Sequence, residues 1–526
     1  MLIRIVNIPF TLSSIALLQI DALMIRTLIT FSSFLLLNAA KAQLTDKGLD
    51  YFKKKAPFAM PNVVEPFFKE ASFNVKDFGG VADGKTLNTK AIASAISACN
   101  GKGGGMVILG AGTWVTGPIE LLSNVNLVVE KGAVLQFTAD HTQYPIIKAG
   151  KSSGTFTTAS PIYAYSAENI AITGDGVIDG AGDTWRPVKK NKAPAAYWVQ
   201  LPKTGVLSED GKLWWPSYEA MKGEDYLKGI KSKGKSGTAE DYLPARDFLR
   251  PYMVYFVDCK KVLIQGVTLK NSPKFVFYPT KCQDLTVRRV NVYNDWWAQN
   301  GDGIDISACK NVVIVNTVVN AGDDAICMKS SAGKSDDGEP ALQNILIANC
   351  TVFRGHGGFV IGSNTDGGMK NIFVTNCYFN GTDVGIRVKS NSGRGGKVEQ
   401  IYIDSVQMDN IKEEAISFDT YYDDVTAGKE RKDVANTAED KVPEFEDFFI
   451  SNINCKKAST GLYINGLSYM PVHDIHLTNV SLTADKNAEI KYARNITAKN
   501  IVFEGKKKGY TIKNSEGVVF NGEVVK

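Results

Sequence analysis

From about residue 120 onward one short pattern keeps returning. It is an Asn or Asp, then alternating β-branched and polar residues, then a small polar turn. Copies begin at Asn124, Asn169, Asp284, Asn311, Asn344, Asn371, Asp447 and Asp474, with Lys261 and Gln400 in the same place in two more. From Asp284 to Asn371 the steps are 27, 33 and 27 residues. Alternation marks strands with one buried face, and several short strands within such a period mark a solenoid. A leucine-rich repeat needs a leucine frame that is missing here, and helical repeats do not alternate β-branched residues. A parallel β-helix is left, in which each coil buries its inner face only by stacking on the next at ~4.8 Å. The fold is therefore expected to be all-β.

Two segments interrupt the array. Residues Phe73 to Cys99 read as strand, glycine turn and amphipathic helix, with the helix Thr89 to Cys99 capping the open N-terminal end of the stack. Residues about 185–250 form a long insertion, the kind of excursion that is usually functional. Its Trp185, Trp198, Trp214 and Trp215 either stack on sugar rings or pack the loop onto the solenoid. The length of 526 residues would ordinarily suggest several domains, but repeat folds grow by adding coils. The expected division is a signal peptide at 1–42, an N-terminal extension at 43–72, and one β-helix catalytic domain at 73–526.

The signal rests on Met24, Ile25 and Arg26 as a basic start, Leu28 to Leu37 as an apolar core, and Ala40-Lys41-Ala42 as an A-x-A site cleaved after Ala42. Translation starts at Met24 or the signal is unusually long. Export to the periplasm or the medium follows, with no membrane span after cleavage. The net charge of +5 includes +2 from the first 42 residues, too little to argue for a nucleic-acid partner. Export permits disulfides, yet no two of the eight cysteines form a CxxC pair. Cys259 to Cys282 and Cys327 to Cys350 are 23 residues apart, and Cys282 to Cys309 and Cys350 to Cys377 are 27. Such spacings suggest thiols stacked at recurring interior positions, with disulfides as the alternative.

Gly79 to Thr86 fits the phosphate-binding pattern G-x-x-x-x-G-K-[ST] letter for letter. An exported β-solenoid without alternating βαβ units argues against nucleotide binding. The segment reads instead as a glycine turn entering the capping helix.

Three consecutive coils carry polar clusters: Asn300-Gly301-Asp302, Gly322-Asp323-Asp324 and Gly355-His356-Gly357. A fourth adds Arg387 and Lys389. Aligning the strands that follow puts Asp302 beside Asp324, one coil apart, with Asp323 adjacent and His356 entering from the next coil. Strand alternation places Arg387 and Lys389 on one face. Carboxylates this close cannot all ionise freely, so one pKa rises while another stays low. Glycoside hydrolysis needs that split, with one acid to protonate the leaving oxygen and one carboxylate to activate water. The cation pair suits a sugar acid. Calcium is the rival partner for clustered aspartates, but no EF-hand or nine-residue calcium repeat is present, and no metal or other cofactor is expected.

At these residues the sequence resembles glycoside hydrolase family 28, the polygalacturonases, whose pattern runs N-T-D, G-D-D, G-H-G with I-G-S, and R-I-K. Here it stands as Asn300-Gly301-Asp302, Gly322-Asp323-Asp324, Gly355-His356-Gly357 with Ile361-Gly362-Ser363, and Arg387-Val388-Lys389. The resemblance implies a right-handed, pectin-lyase-like β-helix and an inverting hydrolase acting on a pectic polysaccharide or oligogalacturonide. It implies that Asp323 is the general acid, that Asp302 and Asp324 activate the water, and that His356 sets the protonation of the acid. Arg387 and Lys389 would bind the galacturonate carboxylate, and a family tyrosine corresponds to Tyr421 or Tyr422. Gly301 and Val388 depart from the family Thr and Ile. Asp324, where rhamnogalacturonan hydrolases carry Glu, points to homogalacturonan, and the 185–250 insertion resembles those of exo-acting members. A pectate lyase and a non-catalytic adhesin on the same fold are the rival readings. The protein is expected to act as a monomer.

Overall fold

The computed structural model describes residues 46–150, 153–232, 237–331, 338–422 and 441–525. The expected signal peptide lies outside them. Among the described residues no helix is long and apolar enough to cross a membrane.

Strands pair in parallel with the strand one coil later. One face stacks Val254–Val257, Phe277–Thr280, Ile304–Ser307, Asp324–Lys329, Gly357–Ile361, Val384–Lys389 and Glu414–Asp419. A second stacks Lys260–Gln265, Gln283–Arg288, Lys310–Val315 and Leu342–Ala348. A third stacks Thr268–Lys270, Asn291–Tyr293, Val318–Asn320 and Thr351–Phe353. The result is a right-handed parallel β-helix, with the hand that parallel crossovers almost always take. Its interior is built from columns such as Ile264, Val287, Ile314, Ile347 and Val374, in register and buried. Each such side chain contributes roughly 1.5–3 kcal/mol by leaving water.

The Asn or Asp that opens each repeat has a structural cause. Asn311, Asn344 and Asn371 have φ of 60°, 61° and 57°, the left-handed region. That conformation costs an ordinary L-residue about 1–2 kcal/mol, and a short amide side chain offsets it by hydrogen bonding locally. Here the amides form a ladder. Asn311 donates to Asp284 Oδ1, Asn344 to Asn311 and Asn371 to Asn344, each at 3.1 Å.

All eight cysteines are buried free thiols. Cys259, Cys282 and Cys309 do stack, because each precedes strands that pair in register. Cys350 and Cys377 form a second stack. Cys327 belongs to neither. It lies within the strand Asp324–Lys329 on another face, so its spacing of 23 from Cys350 is not a coil step.

The expected capping helix spans Thr89–Gly101 and buries Ile92, Ala95, Ile96 and Cys99. The glycine-rich segment before it is closed by one of its own side chains. Asp83 Oδ1 already accepts from the backbone amides of Lys85 and Thr86, both at 2.8 Å. The insertion folds as a small antiparallel sheet of Val188–Lys189, Leu213–Trp215 and Val206–Leu207, followed by the helix Tyr218–Ser232. Trp185 is buried and stacked 3.5 Å from the ring of His141. Trp214 is buried with Val188 and Leu201, and Trp198 packs against them. Packing is thus what these three tryptophans do.

Candidate active site

The register that stacks Ile304 on Ile326 sets Asp302 beside Asp324, at the mouths of two adjacent coils. The Gly303 amide donates to the Asp324 carbonyl at 2.9 Å, fixing that alignment. Oxygens of Asp302, Asp323 and Asp324 come within 4.8 Å of one another. Two glycines let the loops approach this closely. A Cβ on Gly322 would lie 2.5 Å from the Ala298 carbonyl, and one on Gly301 would lie 2.7 Å from Ala298 Cβ. Gly301 thus stands where any larger residue would crowd Ala298. Arg250, at the end of the insertion, clamps that turn by donating to Gln299 O at 3.0 Å and Asn300 Oδ1 at 2.9 Å.

The three carboxyls are held differently. Asp302 is buried, and desolvation, with Asp305 and Asp323 nearby, pushes its pKa well above the usual carboxylate range. Burial also works to raise Asp324, but Lys389, Arg387 and Lys329 outweigh it and hold this carboxyl below its ordinary range. Lys389 Nζ lies 2.7 Å from Asp324 Oδ2, and Arg387 Nη1 lies 3.7 Å from Oδ1. Asp323 is less enclosed. Its Oδ1 accepts from the Asp324 amide at 3.1 Å and faces His356 Nδ1 at 3.0 Å. The split expected of crowded carboxyls is therefore present, between Asp302 and Asp324.

Tyr422 is brought to the cations, its ring 4.5 Å from Lys389 Nζ and 5.3 Å from the Arg387 guanidinium. Tyr421 turns away and packs with Val442 and Leu467. Beside Arg387 and Lys389 opens a cleft of about 220 Å³ that Ser417, Tyr422 and Tyr463 help to line.

Four further residues surround the site. Asp305 and Lys329 form a buried pair at 3.1 Å beneath Asp302 and Asp324. Burial, countered by Lys329, raises Asp305 to about 7. Both lie a few residues after the sequence clusters, and their alternation with the core residues Ile304, Ile306 and Met328 is the signal that they share the strand face of Arg387 and Lys389. Asp383 Oδ2 lies 3.7 Å from His356 Nε2. Lys192 Nζ reaches the same nitrogen at 2.6 Å from within the insertion. Burial lowers the pKa of this lysine, against the pull of Asp323.

The family model described as Glycosyl hydrolases family 28 matches residues 223–510, and one described as Rhamnogalacturonase A/epimerase, pectate lyase-like matches residues 72–194. A "Probable polygalacturonase" of Vitis vinifera is 27% identical over 65% of this chain and 61% of its own length. An "Exo-poly-alpha-D-galacturonosidase" of Dickeya chrysanthemi is 27% identical over 74% and 62%. The chain thus spans about three fifths of the length of these two relatives. An "Endo-polygalacturonase" of Pectobacterium carotovorum is 26% identical over 80% of this chain and 89% of its own. The crystal structure of an exopolygalacturonase from Thermotoga maritima superposes with a TM-score of 0.68 at 26% identity, over 89% of this chain and 97% of that one. With more than half of its length matched by the family model, the chain belongs to glycosyl hydrolases family 28.

Proposed function

We propose that the protein is an exported enzyme that hydrolyses α-1,4-galacturonosyl linkages of pectin or polygalacturonate, from the chain end and with inversion. The observation that carries this reading is the meeting of three carboxyls within 4.8 Å beside the cations Arg387 and Lys389. Two cations on one wall of the cleft suit the carboxylate of an acidic sugar. Asp323 protonates the leaving oxygen. Asp302 and Asp324 hold the attacking water between them, and Asp324, the carboxyl that stays ionised, takes up its proton as positive charge develops at the anomeric carbon. Arg387 and Lys389, with Tyr422 beside them, hold the galacturonate carboxylate at the cleaved bond.

Carboxyls this close are more usual in retaining enzymes, in which one carboxylate attacks the sugar directly. Two features favour water as the nucleophile instead. Asp302 is driven to keep its proton, and Asp324 is held between cations that lower its nucleophilicity.

Action from the chain end is supported by the insertion. It leaves the solenoid before the strand Val254–Val257, yet Lys192 reaches His356, which adjoins a strand four steps further along the same face. At ~4.8 Å per step the insertion crosses roughly 19 Å of groove. Digestion of a defined oligogalacturonide tests this. A single small product from the chain end supports exo action, and an early ladder of intermediate lengths refutes it. The configuration of the fresh product, read by proton NMR, decides between inversion and retention.

A further inference from the structure

His356 faces the proposed acid Asp323 through Nδ1, and an imidazole can do this in two tautomers with opposite consequences. If Nδ1 carries the proton, His356 donates to Asp323. If Nε2 carries it, Nδ1 must accept, and Asp323 can meet it only by spending its own proton there. The acid would then be committed to the histidine and not to the sugar.

The insertion favours one arrangement. Lys192 Nζ lies 2.6 Å from Nε2, and a lysine in its ammonium form can only donate, which makes Nε2 the acceptor and puts the single proton of a neutral His356 on Nδ1. That proton points at Asp323 Oδ1, 3.0 Å away, which also accepts from the Asp324 amide. With two donors on Oδ1, the oxygen left to carry the catalytic proton is Oδ2. The other charges around the ring do not compete for Nε2 at this range. Asp383 Oδ2 stands 3.7 Å off and Asp383 Oδ1 is held by Lys412 at 2.6 Å, while Arg387 faces the His356 carbonyl.

Lys192 is also placed firmly. Its amide closes a turn onto the Lys189 carbonyl at 3.0 Å. The next residue, Ala193, packs with Val188, Leu201 and Trp214 against Trp297, which belongs to the loop entering Asp302. One small apolar cluster thus ties the lysine to the loop that carries the carboxylates.

We propose that Lys192 is a positioning residue for the reaction, fixing His356 in the Nδ1–H tautomer so that Asp323 presents its proton from Oδ2. The proposal rests on Asp323 being the acid, and the test separates the two. Long-range ¹H–¹⁵N spectra of the histidine-labelled full chain, with only four histidines to assign, read the His356 tautomer without substrate. The expected result is a protonated Nδ1 and an unprotonated Nε2 in the wild type, with both signals moving toward averaged positions in Lys192→Met. In parallel, Lys192→Met should lower kcat about tenfold with KM nearly unchanged, and Lys192→Arg should restore most of it, as loss of acid alignment predicts. Lys190→Met, on the exposed side of the same turn, serves as control. A protonated Nε2 in the wild type, unchanged kcat in Lys192→Met, or a rise in KM alone would each overturn the proposal. A wild type inactive on polygalacturonate would refute the hydrolase reading and leave the tautomer measurement standing by itself.

Discussion

Lys389 Nζ lies 2.7 Å from Asp324 Oδ2, with both side chains almost wholly buried. In water such a pair is worth little, but here neither partner can return to solvent when the other is lost. Removing one side of a buried pair costs about 3–5 kcal/mol. Lys389→Met should therefore lower unfolding free energy by that amount in denaturant titrations. Adding Asp324→Asn should recover much of the stability and none of the activity. Equal losses in the single and double variants would show that the pair is not coupled.

Asp305 predicts how stability depends on pH. Burial lifts it to about 7 when folded, against ~3.9 when unfolded, so the native state binds the extra proton between these values. Its stabilising contribution is complete below about pH 4 and is lost as pH rises through 7. Asp302 is shifted in the same direction. The thermal midpoint should fall between about pH 4 and 7, and Asp305→Asn should flatten that fall, as scanning calorimetry at several pH values would show.

The asparagine ladder gives a third test. Asn344→Ala removes one amide hydrogen bond on each side and leaves a Cβ-bearing residue without local compensation at φ 61°. The expected loss is about 2 kcal/mol. Asn344→Gly, which accepts that φ freely, should lose clearly less. Equal losses would place the cost in the amide bonds alone.

Gly301→Thr restores the residue usual in the family, yet it should impair this protein. Its Cβ would meet Ala298 Cβ at 2.7 Å and push the loop that carries Asp302. Overpacking of this kind costs about 1–3 kcal/mol. A drop in kcat, relieved in part by Ala298→Gly, is the expected kinetic result.

Much of this was legible in the sequence, because a solenoid converts sequence period directly into contact. Once the strands after Asp302, Asp324 and His356 were aligned, their stacking followed, as did the common face of Arg387 and Lys389. Cys327 shows where that logic slips. Its spacing matched a coil step, but it was counted from a different face. Lys192 was out of reach for another reason: it stands 164 residues from His356 in a segment that obeys no period. Tyr421 and Tyr422 could not be told apart from sequence because the strand ends at Asp419, before either of them, and alternation no longer fixes direction.

With Asp323 as the proposed proton donor of a hydrolysis that needs no metal, incubating the wild type and Asp323→Asn with polygalacturonate in the presence of chelator, and following reducing ends together with ultraviolet absorbance, is the most direct test. The wild type should release reducing ends without an ultraviolet-absorbing product, and the variant should lose about 10²–10⁴-fold of that activity. An unsaturated, absorbing product that chelator abolishes, or undiminished release by Asp323→Asn, would contradict that assignment.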